Sequence, residues 1–155
     1  MKSLTDHADI LARPPLIYAG ALALVLLLRW QWPTPLSDRL MVQAIGALLV
    51  ALGLALGIPG RWALSVARTN VNPMRPTTAV VQTSSYGLSR HPLYVGLAAV
   101  FLGISLLCST PWGFVVFVPL ALVMHFGVIL PEERYLERKF GDVYRQYCAR
   151  VRRYL

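Results

Sequence analysis

Between Pro92 and Pro131 the chain carries no Asp, Glu, Lys or Arg. One α-helical crossing of a bilayer needs roughly 20 apolar residues, so a charge-free stretch of about forty is long enough to cross twice. The polar, turn-forming run Cys108-Ser109-Thr110-Pro111 lies near its middle, which predicts a helical hairpin. A second uncharged stretch runs from Leu40 to Gly60, between Arg39 and Arg61. A shorter one, Pro14 to Leu28, becomes long enough if Arg29 reaches outward and Trp30 and Trp32 lie at the interface. The expected architecture is therefore all-α and polytopic, with about four transmembrane helices at 14–32, 40–60, 92–108 and 112–130. Apolar residues make up 56% of the chain and charged residues 14%. A soluble domain of this size needs more charge to cover its surface.

The formal net charge of +8 raises the question of nucleic acid, and the placement of the charge answers it. Arg61, Arg68, Arg75 and Arg90 lie in the middle connection, and Arg134, Arg138, Lys139, Arg145, Arg150, Arg152 and Arg153 in the tail. With four crossings these two regions and the N-terminus share one side. The positive-inside rule makes that side cytoplasmic, and a basic face beside anionic lipid implies no nucleic-acid partner. Cys108 and Cys148 then fall on opposite sides and cannot pair, and no metal-ligand spacing is present. Met1 to Leu11, with Asp6 and Asp9, does not resemble a signal peptide. The excess of arginine over lysine, with much Ala and Leu, points to a bacterium and hence to its inner membrane.

The chain reads as a single membrane domain, 1–155, in three parts. Residues 1–60 form two helices in which Gly46, Gly53 and Gly57 offer a face for close helix contact. Residues 61–90 form a long polar connection in which Val80 and Val81 are placed to dip into the interface. Residues 91–155 hold the hairpin and a C-terminal amphipathic helix. That helix is expected to begin at Pro131, with Glu132 and Glu133 in its first turn. Leu136, Phe140, Val143, Tyr144, Tyr147 and Val151 recur on its apolar face, and Gly141 marks a bend or a close approach.

A hairpin brings its two ends together. Arg90 and His91 precede the third helix and Glu132-Glu133 follow the fourth, so all four are expected at one membrane face. The N–H groups at a helix start favour an anion, and Arg90 adds a charged fork for a carboxylate. Tyr94 offers an aromatic face and a hydroxyl. Gly96 lets a ligand or another helix come close. The glutamates supply the opposite pole, for an ammonium or for ribose hydroxyls. Such a site fits a zwitterionic nucleoside ligand such as S-adenosylmethionine, whose sulfonium favours carboxylates and aromatic faces. Ordinary membrane-edge charges forming a salt bridge would also account for the spacing.

The run Arg90-His91-Pro92-Leu93-Tyr94-Val95-Gly96 is followed by Glu132-Glu133, then Leu136, Phe140-Gly141, Tyr144, Tyr147 and Val151-Arg152, after an opening at Asn70-Val71-Asn72-Pro73. This order resembles the isoprenylcysteine carboxyl methyltransferase family and the related phospholipid N-methyltransferases. The resemblance implies an integral-membrane, S-adenosylmethionine-dependent methyltransferase with a cytoplasm-facing site. His91, Pro92, Tyr94, Gly96, Glu132 and Glu133 would bind the cofactor. Arg90 and a glutamate would position a lipid-like or isoprenoid-linked acceptor, with carboxyl methylation favoured and phospholipid amine methylation the alternative. For an amine, Glu133 or His91 would take the proton. One departure is Ser84-Ser85-Tyr86, where the family has Gly-Pro-Tyr or Gly-Ile-Tyr. Two rivals are a membrane sterol reductase, which shares parts of the motif, and a non-catalytic small membrane protein or transporter. His125, within the fourth helix, is either on the substrate side or a packing histidine. No oligomeric state follows from the sequence.

Overall fold

The computed structural model describes residues 8–36, 38–72 and 74–155. The signal-peptide reading of Met1 to His7 and the Pro73 end of the Asn-Val-Asn-Pro run lie outside these residues. Among the described residues all regular structure is helical.

Helix α1 spans Pro14–Gln31 and opens on prolines whose missing N–H groups cost nothing in a first turn. Helix α2 spans Arg39–Val66, and the Asp38 carboxylate caps it by accepting from the Met41 amide at 3.2 Å. Helix α3 spans Pro92–Leu107, and α4 begins at Trp112. Among the described residues three helices are long and apolar enough to cross a membrane: Pro14–Gln31, Arg39–Val66 and Trp112–Phe140. The third apolar helix in chain order has 16 residues. At 1.5 Å per residue it reaches about 24 Å, short of a full hydrocarbon core. Only 11% of the most apolar window of α2 is buried. Leu48, Leu52, Leu54 and Ile58 face outward, which is stable against lipid and costly in water.

Helix α3 is central, with α2 on one side and α1 and α4 on the other. The α2–α3 seam is antiparallel and made of glycines. A Cβ at Gly46 would stand 2.7 Å from the Gly103 carbonyl oxygen, and one at Gly53 would stand 2.6 Å from that of Gly96. Lipid supplies no hydrophobic drive between helices, so this close backbone approach and its dispersion contacts hold the pair. Gly57, expected on the same face, differs. A Cβ there would meet nothing within 4 Å. On the other side of α3, Phe101 packs with Val25, Val116, Leu120 and Val128.

The connections sort to two ends. The Leu36 amide donates to the Ser109 carbonyl at 3.1 Å, and the Trp112 indole donates to the Trp32 carbonyl at 3.0 Å. At the opposite end lie the 67–91 connection and the tail. There the Leu11 amide donates to the Gly127 carbonyl at 3.0 Å. Cys108 and Cys148 fall at different ends, and both are free.

Three boundaries differ from the sequence expectation. Helix α2 continues past Pro59 and Gly60 to Val66, because Gly60 packs on the Pro92 ring while Ala63 and Leu64 are buried. A proline inside a membrane helix loses one backbone bond that neighbouring helices offset. Nor does a new helix start at Pro131. Helix α4 (Trp112–Met124) passes through one wide π turn, His125–Ile129, into α5 (Leu130–Phe140). Proline's ring clashes with the carbonyl four residues earlier, and a widened turn relieves that clash. The expected C-terminal amphipathic helix is two helices. Gly141 adopts φ +51, and α6 (Asp142–Arg150) leaves in a new direction.

Candidate functional site

The hairpin brings Arg90, His91, Tyr94, Glu132 and Glu133 together. His91 caps the start of α3, with its amide bonded to the Ser89 hydroxyl at 3.1 Å. Its ring stacks on Tyr94, with centroids 5.5 Å apart and planes at 12°. One ring nitrogen, Nε2, lies 3.3 Å from Glu133 Oε1, and the other, Nδ1, lies 3.9 Å from Glu132 Oε2. The Tyr94 hydroxyl donates to Glu132 at 2.7 Å. A carboxylate only accepts, so the imidazole must turn its Nε2–H to Glu133.

The two glutamates are not equivalent. Glu133 is buried and accepts from Arg90 Nη1 at 3.3 Å, from His91, and from Arg153 through Nε at 3.0 Å and Nη2 at 2.7 Å. These donors occupy most of what two carboxylate oxygens can accept. Glu132 has Tyr94 as its close donor and lines a cavity of about 60 Å³ that Glu133 does not reach.

Arg90 is also committed. Its Nε donates to the Val151 carbonyl at 2.8 Å, its Nη2 to the Cys148 carbonyl at 2.8 Å, and its backbone amide to the Arg152 carbonyl at 3.0 Å. Cys148 lies in the last turn of α6 and Val151 just past it, where carbonyls have no partner within the helix. Arg90 thus staples the tail across the hairpin. Pro92 is buried at the first position of α3. Gly96 lies against the Gly53 backbone, away from the carboxylates.

The cavity is walled by Tyr86, Tyr94, Tyr144 and Tyr147 and roofed by Thr77, Val80 and Val81 of the 67–91 connection. A nucleoside-bearing ligand needs a site of several hundred Å³. The roof must shift to admit one, and a few bonds hold it. The Thr77 amide donates to the Tyr135 hydroxyl at 3.1 Å, and Arg150 reaches the Gln82 side chain at 2.8 Å. The buried Tyr144 hydroxyl bonds no oxygen or nitrogen. Burial, with the Glu133 charge adding to it, raises its pKa, so it stays a neutral donor. The half-buried Glu132 carboxylate, the Tyr144 phenol and stacked rings form a set suited to a ligand with a cationic centre and hydroxyls.

Sequence reasoning missed Arg153, Tyr144 and Tyr86 as members of this site. Arg153 read as one more basic residue in the tail, and Tyr144 as part of a helix face. The tyrosine spacing was the visible signal, but the inward turn at Gly141 was not. His125 is satisfied by the Tyr154 hydroxyl.

At Ser84-Ser85-Tyr86 the chain makes a 3-10 turn with Ser84 at φ +59, a conformation that glycine adopts freely. Serine keeps the turn at a cost of about 1–2 kcal/mol. Ser85 is buried beneath it, and the Tyr86 carbonyl accepts from Tyr147 at 2.8 Å. Ser84→Gly is therefore expected to raise stability by up to about 1 kcal/mol, after the extra freedom of glycine in the unfolded chain is subtracted. Thermal unfolding in detergent reads this, and a lowered midpoint would contradict it.

Apolar helices ending in a buried cluster of carboxylates, arginines and stacked rings define an integral-membrane protein with a polar site at one face. The chain belongs to the phospholipid methyltransferase family, which it matches over residues 41–143, from the start of α2 into α6, and this makes it a membrane methyltransferase. It is similar to an uncharacterized protein of Haemophilus influenzae, 41% identical over 66 residues, which are 41% of this chain and 100% of the relative. No solved structure matches it.

Proposed function

We propose that the protein transfers a methyl group from S-adenosylmethionine to a lipid-like acceptor at the cytoplasmic face of a bacterial inner membrane, with both termini on that side. The observation that carries this is Glu132, the carboxylate left open to the cavity, held by the Tyr94 hydroxyl beside the stacked His91 ring in a cavity that Tyr144 also lines. Bound S-adenosylmethionine supplies an electrophilic methyl on sulfur. Glu132 holds its positive end and Tyr144 meets its hydroxyls. The tyrosine walls exclude water, and the remaining work is alignment of the acceptor.

Of the two acceptors, a lipid amine suits the site better than an isoprenoid-linked carboxylate. A carboxylate acceptor calls for a free cation, and Arg90 is engaged through Nε and both Nη groups. An amine must lose a proton. Glu133 fixes the Nε2–H of His91, which leaves the Nδ1 lone pair as the base and holds the imidazolium that results. The motif's likeness to carboxyl methyltransferases keeps the carboxylate as the second reading. Mild alkali separates the two, since a methyl ester product releases its label and an N-methyl product keeps it.

Labelled S-adenosylmethionine is expected to bind inverted membrane vesicles and not right-side-out ones. Glu132→Gln should weaken binding by about 1.5–3 kcal/mol, the range for a charged hydrogen bond, and Tyr94→Phe by less. Undetectable binding by folded wild-type protein would remove the cofactor from this reading.

A further inference from the structure

At the end of the bundle opposite Glu132, a cavity of about 210 Å³ opens between the α1–α2 connection and the turn that joins α3 to α4. Pro33 and Pro35 cannot continue α1, so the chain crosses to Arg39 without helix. Two bonds lace the rim. The Leu36 amide donates to the Ser109 carbonyl at 3.1 Å, and Gln43 Nε2 donates to the Leu107 carbonyl at 3.2 Å. The second takes up an orphan carbonyl at the end of α3. Arg29, Arg39, Gln43 and Ser109 line the cavity. Arg29 lies in the last turn of α1 and Arg39 opens α2. Both are exposed, and neither pairs with a carboxylate among the described residues. The neighbouring Asp38 carboxylate caps α2 instead. Gln43 keeps a second amide N–H beyond the one on Leu107. Ser109 is 8% exposed, and its buried hydroxyl has no hydrogen-bond partner. Buried hydroxyls are normally bonded. Trp30 and Trp32, both exposed, mark this end as the depth of lipid headgroups.

We propose that this cavity binds a phosphate group, held by the Arg29 and Arg39 guanidinium groups together with the Ser109 hydroxyl and the Gln43 amide. Two guanidinium forks match a phosphate by charge and by geometry. One water needs roughly 10–15 Å³ of such space, so the larger group fits as well. Interfacial anchoring alone accounts for the two arginines, but it leaves the buried hydroxyl beside them unsatisfied. The phosphate is either a free ion or part of a lipid headgroup in the adjoining leaflet, and both present the same oxygens. The site is independent of methyl transfer, whose glutamates lie at the other end.

The test is titration of inorganic phosphate, and separately of dihexanoyl phosphatidic acid, into the full chain in non-ionic detergent at constant ionic strength. Phosphorus NMR of the ligand reads the binding. Saturable binding is expected, and the double change Arg29→Gln, Arg39→Gln should weaken it at least about tenfold. Ser109→Ala should weaken it about threefold to tenfold without lowering the melting temperature. The double change Arg13→Gln, Arg61→Gln removes the same charge at the other end and should bind as wild type does. Binding of inorganic phosphate would show that the free ion suffices. Binding of the phosphatidic acid alone, without competition from dihexanoylglycerol, would make a lipid headgroup the source. Either result sustains the site. No saturable binding of either ligand, wild-type affinity after loss of Arg29 and Arg39, or an equal loss in both arginine pairs would overturn it and leave Arg29 and Arg39 as interfacial anchors.

Discussion

Glu133→Gln is expected to loosen the polar end of the bundle. The glutamate is buried and accepts from Arg90, His91 and Arg153, so one substitution leaves two guanidinium groups and an imidazole without their shared anion. Breaking a buried ion pair from one side costs about 3–5 kcal/mol. The lower end applies here, since the Arg153 side chain is 39% exposed and water can replace part of its loss. The tail should then loosen from Arg153 onward, because Arg153 loses its anchor on Glu133 while Arg90 keeps its bonds to the Cys148 and Val151 carbonyls. Thermal unfolding in detergent measures the first effect and protease sensitivity beyond Val151 the second. Glu132→Gln is the control, expected to lose cofactor affinity while melting close to wild type. If Glu133→Gln melted within about 1 kcal/mol of wild type, the division between a structural and a binding glutamate would be wrong.

The second large effect lies at the glycine seam. Gly53→Leu places a Cβ 2.6 Å from the Gly96 carbonyl oxygen, and Gly96→Leu places one 2.7 Å from that of Gly53. Backbone faces backbone, so no side chain can rotate away and the two helices must separate. Overpacking of this kind costs about 3 kcal/mol or more. Each change should lower the melting temperature and broaden the size-exclusion peak. Gly57→Leu, one turn along the same helix, should do neither. From sequence, Gly96 is a point of close approach for a ligand or another helix, and the resemblance places it at the cofactor. The seam makes Gly96→Leu a folding variant instead. A well-folded Gly96→Leu protein that had lost only cofactor binding would return Gly96 to the cofactor site.

The adjacency of Arg90 and His91 to the glutamate pair is legible in the chain because it needs only connectivity. Two apolar helices joined at Ser109-Thr110-Pro111 have to return to the same face. The acceptors of Arg90 were not legible in this way. They are backbone carbonyls of Cys148 and Val151, which carry no signature in residue type, and the turn at Gly141 brings them there.

Hydropathy determined the helical membrane architecture and the polarity of its two ends, since transfer of a segment into lipid depends on that segment's own composition. It reached as far as the apolar faces and no further. Which glutamate points into the cavity was a tertiary decision. Neighbouring residues on a helix point about 100° apart, and the π turn at His125–Ile129 shifts the phase of everything after it. That phase is set by how α4 packs on α1 and α3 and by the ring of Pro131, so counting residues from Trp112 cannot recover it. The seam between α1 and α2 has the same origin. In lipid no segment gains by burying an apolar face, so glycine contacts with α3 decided where α2 lies, and its distance from α1 left a cavity of about 590 Å³ between the start of α1 and the later half of α2.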